Sequence, residues 1–129
     1  GFEACSAGSQ PSGRVHPRSL ATLEQAGIAT HGLYSKGSEA FEGAPPDIVI
    51  TVCDAAAGEA CPLYLGAALK AHWGLADPSA LDGDEALRDA AFHATLARIE
   101  QRCRAFLGLP FATLDRDQLK RELERIGSL

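Results

Sequence analysis

The densest apolar run in the chain is Asp47 to Cys53, DIVITVC, where Ile48, Val49, Ile50 and Val52 are interrupted only by Thr51. A continuous β-branched run of this kind predicts a strand covered on both faces, as in a parallel sheet. Leu69 to Trp73 predicts a second parallel strand, with the intervening residues as a long connection. Phe2 to Ala7 predicts a short additional strand, closed by the Gly, Pro and Ser residues of the loop Gly8 to Gly13. Between these strands the period lengthens to that of a helix. Pro17 suits a first turn, where its missing N–H costs nothing; Leu20, Leu23 and Ala26 form a stripe, and Gly27 suits the end. Ser38 to Glu42 predicts one helical turn ahead of the Gly43-Ala44-Pro45-Pro46 breaker.

The last third reads as helical. Asp82, Asp84 and Glu85 put negative charge at a helix start, where the dipole favours it. Phe92, Leu96, Ile99, Cys103 and Phe106 then recur at four and three, which predicts one apolar face with Cys103 buried on it as a structural thiol. Gly108 and Pro110 end that helix. A final helix starts at Asp115, with Gln118 completing a capping box and Leu114 and Leu119 a hydrophobic staple; Leu119, Leu123 and Ile126 carry its apolar side. Strands and helices alternating around a buried parallel sheet make an α/β domain. The whole chain, residues 1–129, is expected to be one such domain, with residues 82–129 as its helical C-terminal part.

Composition narrows the partners. The 129 residues carry a net charge of −5 without a basic block, which argues against nucleic acid. No stretch reaches the length of a membrane span and no signal-peptide pattern is present, so no membrane partner is expected. The four cysteines are unevenly spaced, which favours reduced thiols and a cytoplasmic location over a disulfide framework.

Chemistry concentrates around Cys53 and Cys61, which bracket a short Ala- and Gly-containing loop directly after the first strand. A thiol at the C-terminal edge of a parallel strand lies where α/β proteins bind ligands. A second thiol on an adjacent loop can take over a disulfide formed by the first. The alternative is that Cys53 is a small buried hydrophobe and Cys61 an incidental loop residue. A zinc site from Cys53, Cys61 and His72 lacks the short paired-ligand spacing and a fourth ligand, so no metal or cofactor is expected. Asp77, followed by Pro78 after the second strand, could deliver a proton to a leaving oxygen at the same edge, or could simply cap a turn. His16, His31 and His93 carry no partner pattern; His93 is expected in solvent and His72 packed on its strand. The interval from Cys5 to Arg14 is longer than a cysteine phosphatase loop and contains Pro11, so it does not fit that signature.

The segments CSAGSQPSGRVHPRSLATLEQAGI, LYSKGSEAF, PDIVITVCDAAAGEACP and KAHWGLADPSAL occur in an order that resembles the arsenate reductases related to low-molecular-weight protein tyrosine phosphatases. The pairing of VCD and CP with the later HWG and DP resembles the reductase branch in particular. The resemblance implies a three-layer, phosphatase-like α/β fold. It implies Cys53 as the middle relay thiol, Cys61 as the terminal one and Asp77 as the general acid. The implied reaction reduces arsenate to arsenite, ends in a Cys53–Cys61 disulfide, and uses thioredoxin or a similar dithiol as reductant.

In that family a first strand, oxyanion loop and helix precede the segment that here is Ser6-Ala7-Gly8. They have no counterpart in this sequence, and none of the four cysteines is assigned the nucleophile's role. The expectation is therefore that the parent protein is the reductase and that this chain alone is inactive. A noncatalytic binding or dimerisation remnant and a tyrosine phosphatase-like enzyme are the alternatives. The missing strand would be central in the sheet and would leave the strand Asp47 to Cys53 with an open edge. That predicts a homodimer, or complementation by an N-terminal fragment.

Overall fold

The computed structural model describes residues 2–8, 13–37, 43, 46–52 and 68–129. Helix α1 (Pro17–Gln25) starts as its sequence predicts, with Pro17 in the first turn. The cap is His16, whose Nδ1 accepts from the Arg18 N–H at 3.1 Å. Gly27 follows the helix at φ 76°, the left-handed conformation that closes a helix cheaply only when no Cβ is present.

Strand β1 (Ile48–Thr51) pairs in parallel with β2 (Leu69–His72), Ile48 opposite Leu69 and Thr51 opposite His72. Pairing continues past both strands, since Trp73 N–H donates to Thr51 at 2.8 Å and Leu75 N–H to Val52 at 2.9 Å. The two strands are covered differently. In β1 Val49 is buried on one face while Ile48 and Ile50 pack against the core on the other. In β2 Leu69 and Ala71 are buried and Lys70 and His72 are exposed, the alternation of a strand with one covered face. No further strand joins this two-stranded sheet among the described residues.

A 3-10 turn (Pro78–Ala80) then leads into α2 (Glu85–Leu107), capped by Asp84, whose carboxylate accepts from the Leu87 N–H at 2.9 Å. Helix α3 (Arg116–Ile126) opens with the full capping box: Asp115 accepts from the Gln118 N–H while the Gln118 side chain accepts from the Asp115 N–H. Leu123 and Ile126 of α3 are completely buried against Leu69, Ala71 and Trp73. Each such side chain contributes about 1.5–3 kcal/mol through removal from water. Trp73 is tied to the helix as well as packed on it, its indole N–H donating to the Leu123 carbonyl at 2.9 Å.

Helix α1 docks on α2 through polar contacts. Arg18 bonds Glu85 at 2.8 Å and also pairs with Asp89, and His93 meets Gln25 at 2.9 Å. The expected solvent position of His93 is right, but it has this partner on α1. Glu85 and Asp89 are largely exposed, so these ion pairs fix geometry more than they stabilise.

Two expectations are corrected. Among the described residues Phe2 to Ala7 forms no strand, and the nearest pairing is the bridge from Gly8 to Gly37 just after it. The Phe2 ring instead packs against Phe106 and Phe111, at centroid distances of 5.1 and 5.0 Å, and those aromatic contacts set the path of the segment. Cys103 is exposed rather than buried on the apolar face of α2. Arg102 occupies the inner position, only 3% exposed. It donates to the carbonyls of Trp73, Gly74 and Leu129 at 3.1, 3.3 and 3.2 Å, bonds that a thiol could not reach or make. The expected helical turn at Ser38 to Glu42 lies outside the described residues.

The end of α3 approaches β2 so closely that a Cβ on Gly127 would lie 2.8 Å from the His72 carbonyl oxygen and 2.9 Å from Trp73 Cδ1. Backbone and a packed indole cannot yield as a flexible side chain would. Gly127→Ala should therefore cost about 1–3 kcal/mol in denaturant unfolding. Gly108→Ala, whose Cβ would meet nothing closer than 3.5 Å, should stay within about 0.5 kcal/mol of the parent. Equal effects of the two would show that α3 does not dock at this distance.

Candidate active site

Beyond the strands, the bond from Leu75 to Val52 keeps the two chain segments side by side at the C-terminal edge of the sheet. Val52 is the residue before Cys53, and Leu75 lies two residues before Asp77. The ladder therefore delivers Asp77 to the end of the sheet where β1 runs out. Cys53 and Cys61 themselves lie outside the described residues.

A cavity of about 490 Å³ opens at this edge. Leu23 of α1, Val52, Leu75, and Phe92, Leu96 and Ile99 of α2 make its walls apolar, while His16, Ser19, Asp77 and Ser79 supply polar groups. Local sequence explains the polar side. His16 lines the cavity because it caps α1, and its ring lies against Phe92 with centroids 5.2 Å apart. Asp77 is there because it caps the 3-10 turn: Oδ1 accepts from the Ser79 N–H at 2.9 Å and from the Ser79 hydroxyl at 2.6 Å. Pro78 suits the first position of that turn, where no N–H is required.

These bonds decide the charge of Asp77. The Ser79 hydroxyl and then its backbone N–H hold the carboxyl below the ordinary carboxylate range, while partial burial pushes the other way. The resting group is an anion, with Oδ2 taking no hydrogen bond among the described residues. It can accept a proton directly. It can donate one only after acquiring it on that open oxygen, against the pull of the Ser79 bonds.

Sequence reasoning identified Asp77 and passed over its partners. His16 and Ser79 each sit beside a proline, in His16-Pro17 and Pro78-Ser79, and that cap chemistry was the available signal. His72 does not join them. Its Nδ1 lies 2.7 Å from Thr51 Oγ1; it sits on β2 as expected, but exposed rather than packed, because β2 buries only its Leu69 and Ala71 face.

A family model for low molecular weight phosphotyrosine protein phosphatases matches residues 1–124. The chain belongs to that family. Its α/β architecture, with helices flanking a parallel sheet, is that of this phosphatase family. No curated protein matches the chain significantly. Among the described residues no helix is long and apolar enough to cross a membrane.

Two measurements test this geometry. In a carboxyl NMR titration Asp77 should titrate below an ordinary aspartate, and Ser79→Ala should move its midpoint upward. The folded-state value is depressed, so the Ser79 bonds stabilise the fold above the unfolded-state pKa and are lost as pH falls through the lower, folded-state one. An unchanged midpoint in Ser79→Ala would remove Ser79 as the cause. Separately, exposed Cys103 should be alkylated in the native protein without unfolding. Protection until unfolding would restore it to the core.

Proposed function

We propose that this chain carries the disulfide relay of a thiol-dependent arsenate reductase, within the phosphatase family to which it belongs. The observation that carries the reading is the sequence Val52-Cys53 through Cys61-Pro62, which begins at the end of β1, where the ladder also delivers Asp77. Two thiols spaced across one loop suit oxidation and reduction; hydrolysis of a phosphate ester does not require them.

The electron balance is simple. Arsenate takes two electrons on becoming arsenite. A first thiolate forms an arsenic–sulfur adduct, and Cys53 attacks that sulfur; the sulfur–arsenic bonding pair leaves with arsenic as arsenite. The product is a disulfide between the first thiol and Cys53. Cys61 then attacks Cys53, releasing the first thiol and forming the Cys53–Cys61 disulfide. Thioredoxin, or a dithiol of the same class, reduces that bond and is itself oxidised. The first thiol is assigned to no cysteine of this sequence. Asp77 would protonate the oxygen lost from arsenic, using its open Oδ2.

The family match favours a second reading, hydrolysis of an aryl phosphate, in which Asp77 would protonate the leaving phenolate. The relay is separable from it. Mild oxidation should give a Cys53–Cys61 linked peptide by mass spectrometry, and thioredoxin with its reductase should then consume NADPH until the link is gone. Cys61→Ser should abolish both signals. Oxidised material linked only through Cys5 or Cys103 would remove the relay. Aryl phosphate hydrolysis indifferent to Cys61→Ser would favour the phosphatase instead.

A further inference from the structure

Helix α1 covers only the first half of α2. Its contacts reach Glu85, Asp89, Phe92 and His93, and the same face of α2 then runs on toward solvent. Leu96, Ile99, Cys103 and Leu107 recur there at three and four over three turns. Leu96 is half-buried and Cys103 exposed, while Ile99 and Leu107 are 39% and 63% exposed. A contiguous apolar stripe left open in this way marks a contact surface. Glu100 and Arg104 lie one turn apart along one flank of the stripe. Neither side chain has a hydrogen-bond or ion-pair partner among the described residues.

We propose that this stripe is the contact surface of a two-fold, antiparallel α2–α2 pair formed with a second copy of the chain. The charges choose both the partner and the direction. In an antiparallel pair related by a two-fold axis, like flanks meet and the order of residues reverses. Centred midway between Leu96 and Leu107, the pair sets Leu96 opposite the partner's Leu107 and Ile99 beside the partner's Cys103. The same register brings Glu100 beside the partner's Arg104, and the symmetry makes that contact twice. A parallel pair would instead turn this flank toward Thr95 and Phe106, leaving both charges unmatched. An unrelated apolar helix need carry no charge at these heights; a second copy carries both. The stripe is short, so the buried area falls below about 1,200 Å² in total, the range of weak complexes. A dissociation constant of about 1–100 μM is expected. Leu96 and Ile99 also line the cavity, so each copy would close one side of the other's candidate site.

Sedimentation under a thiol reductant, over about 1–500 μM chain, should show a reversible monomer–dimer equilibrium. Glu100→Arg and Arg104→Glu should each weaken it about tenfold, because each sets like charges together twice. An equimolar mixture of those two variants should pair again within about threefold of the parent, since every Arg then meets a Glu. Misfolding of either variant could not produce that recovery. Leu107→Asp should also weaken the pair about tenfold while leaving the helical signal unchanged, its side chain being mostly exposed in the single copy. Alkylation of Cys103 proceeds through the dissociated copy, so it should slow as concentration rises in the parent and not in Leu107→Asp. A monomer throughout the range would overturn the pairing. So would a mixture that stays as weak as its components. A dimer indifferent to the charge reversals would overturn it too, and would place the contact on another surface such as the edge of β1.

Discussion

The structure depends on how the end of β2 is fastened to the two C-terminal helices. Trp73 is central to that fastening. Its backbone N–H continues the ladder to Thr51, its indole N–H donates to Leu123, and its carbonyl accepts from Arg102. Arg102 adds Gly74 and Leu129, so one buried guanidinium joins α2, the strand end and the segment that follows α3. A guanidinium removed from water is costly unless its donors are met. Here three carbonyls meet Nη1 and Nη2, while Nε has no partner among the described residues. Leu129 follows the end of α3, where unpaired carbonyls and the helix dipole favour a cation.

That fastening fixes the candidate site at a distance. Because Trp73 and Gly74 are held, the next residues leave the strand in a set direction: Leu75 still pairs with Val52, and Asp77 then turns the chain. The opposite wall is set by α1 docking on α2 through Arg18, with the His16 ring against Phe92. The cavity is therefore the gap between a sheet edge held by Trp73 and a helix pair held by polar surface contacts.

The sequence was most readable where local chemistry and global packing ask for the same residue. β1 was plain from its β-branched apolar run, because burial of such a run needs no information from elsewhere, and β2 was placed within the run Leu69 to Trp73. The cap at Asp115, the helix end at Gly27 and the acidic helix start around Asp84 were plain for the same reason. Cys103 was misread because a periodic count assigns the inner stripe to apolar residues and cannot anticipate an arginine there. Only the presence of the Trp73, Gly74 and Leu129 carbonyls makes Arg102 the better inner residue. Phe2 to Ala7 failed similarly: strand propensity is weak, and two aromatic partners more than a hundred residues away outweigh it. Asp77 was legible as a candidate from Asp-Pro alone, but its charge was not, since the Ser79 bonds that set it are tertiary in consequence though local in sequence.

Asp77 was given two readings, a proton donor and a turn cap, and the geometry links them. The cap occupies Oδ1 and lowers the proton affinity of the carboxyl, while the proton a leaving oxygen needs must reside on Oδ2. The two functions use different oxygens, so they are compatible in space and opposed in energy. An arriving anion reverses that opposition: negative charge near Oδ2 raises the proton affinity that Ser79 had lowered. Expulsion of water strengthens the effect, because charges interact more strongly at lower dielectric. On the proposed acid role, a carboxyl that is an anion while the site is empty and an acid once it is filled would carry no proton at rest. It also keeps the 3-10 turn capped throughout, because Oδ1 never has to release Ser79.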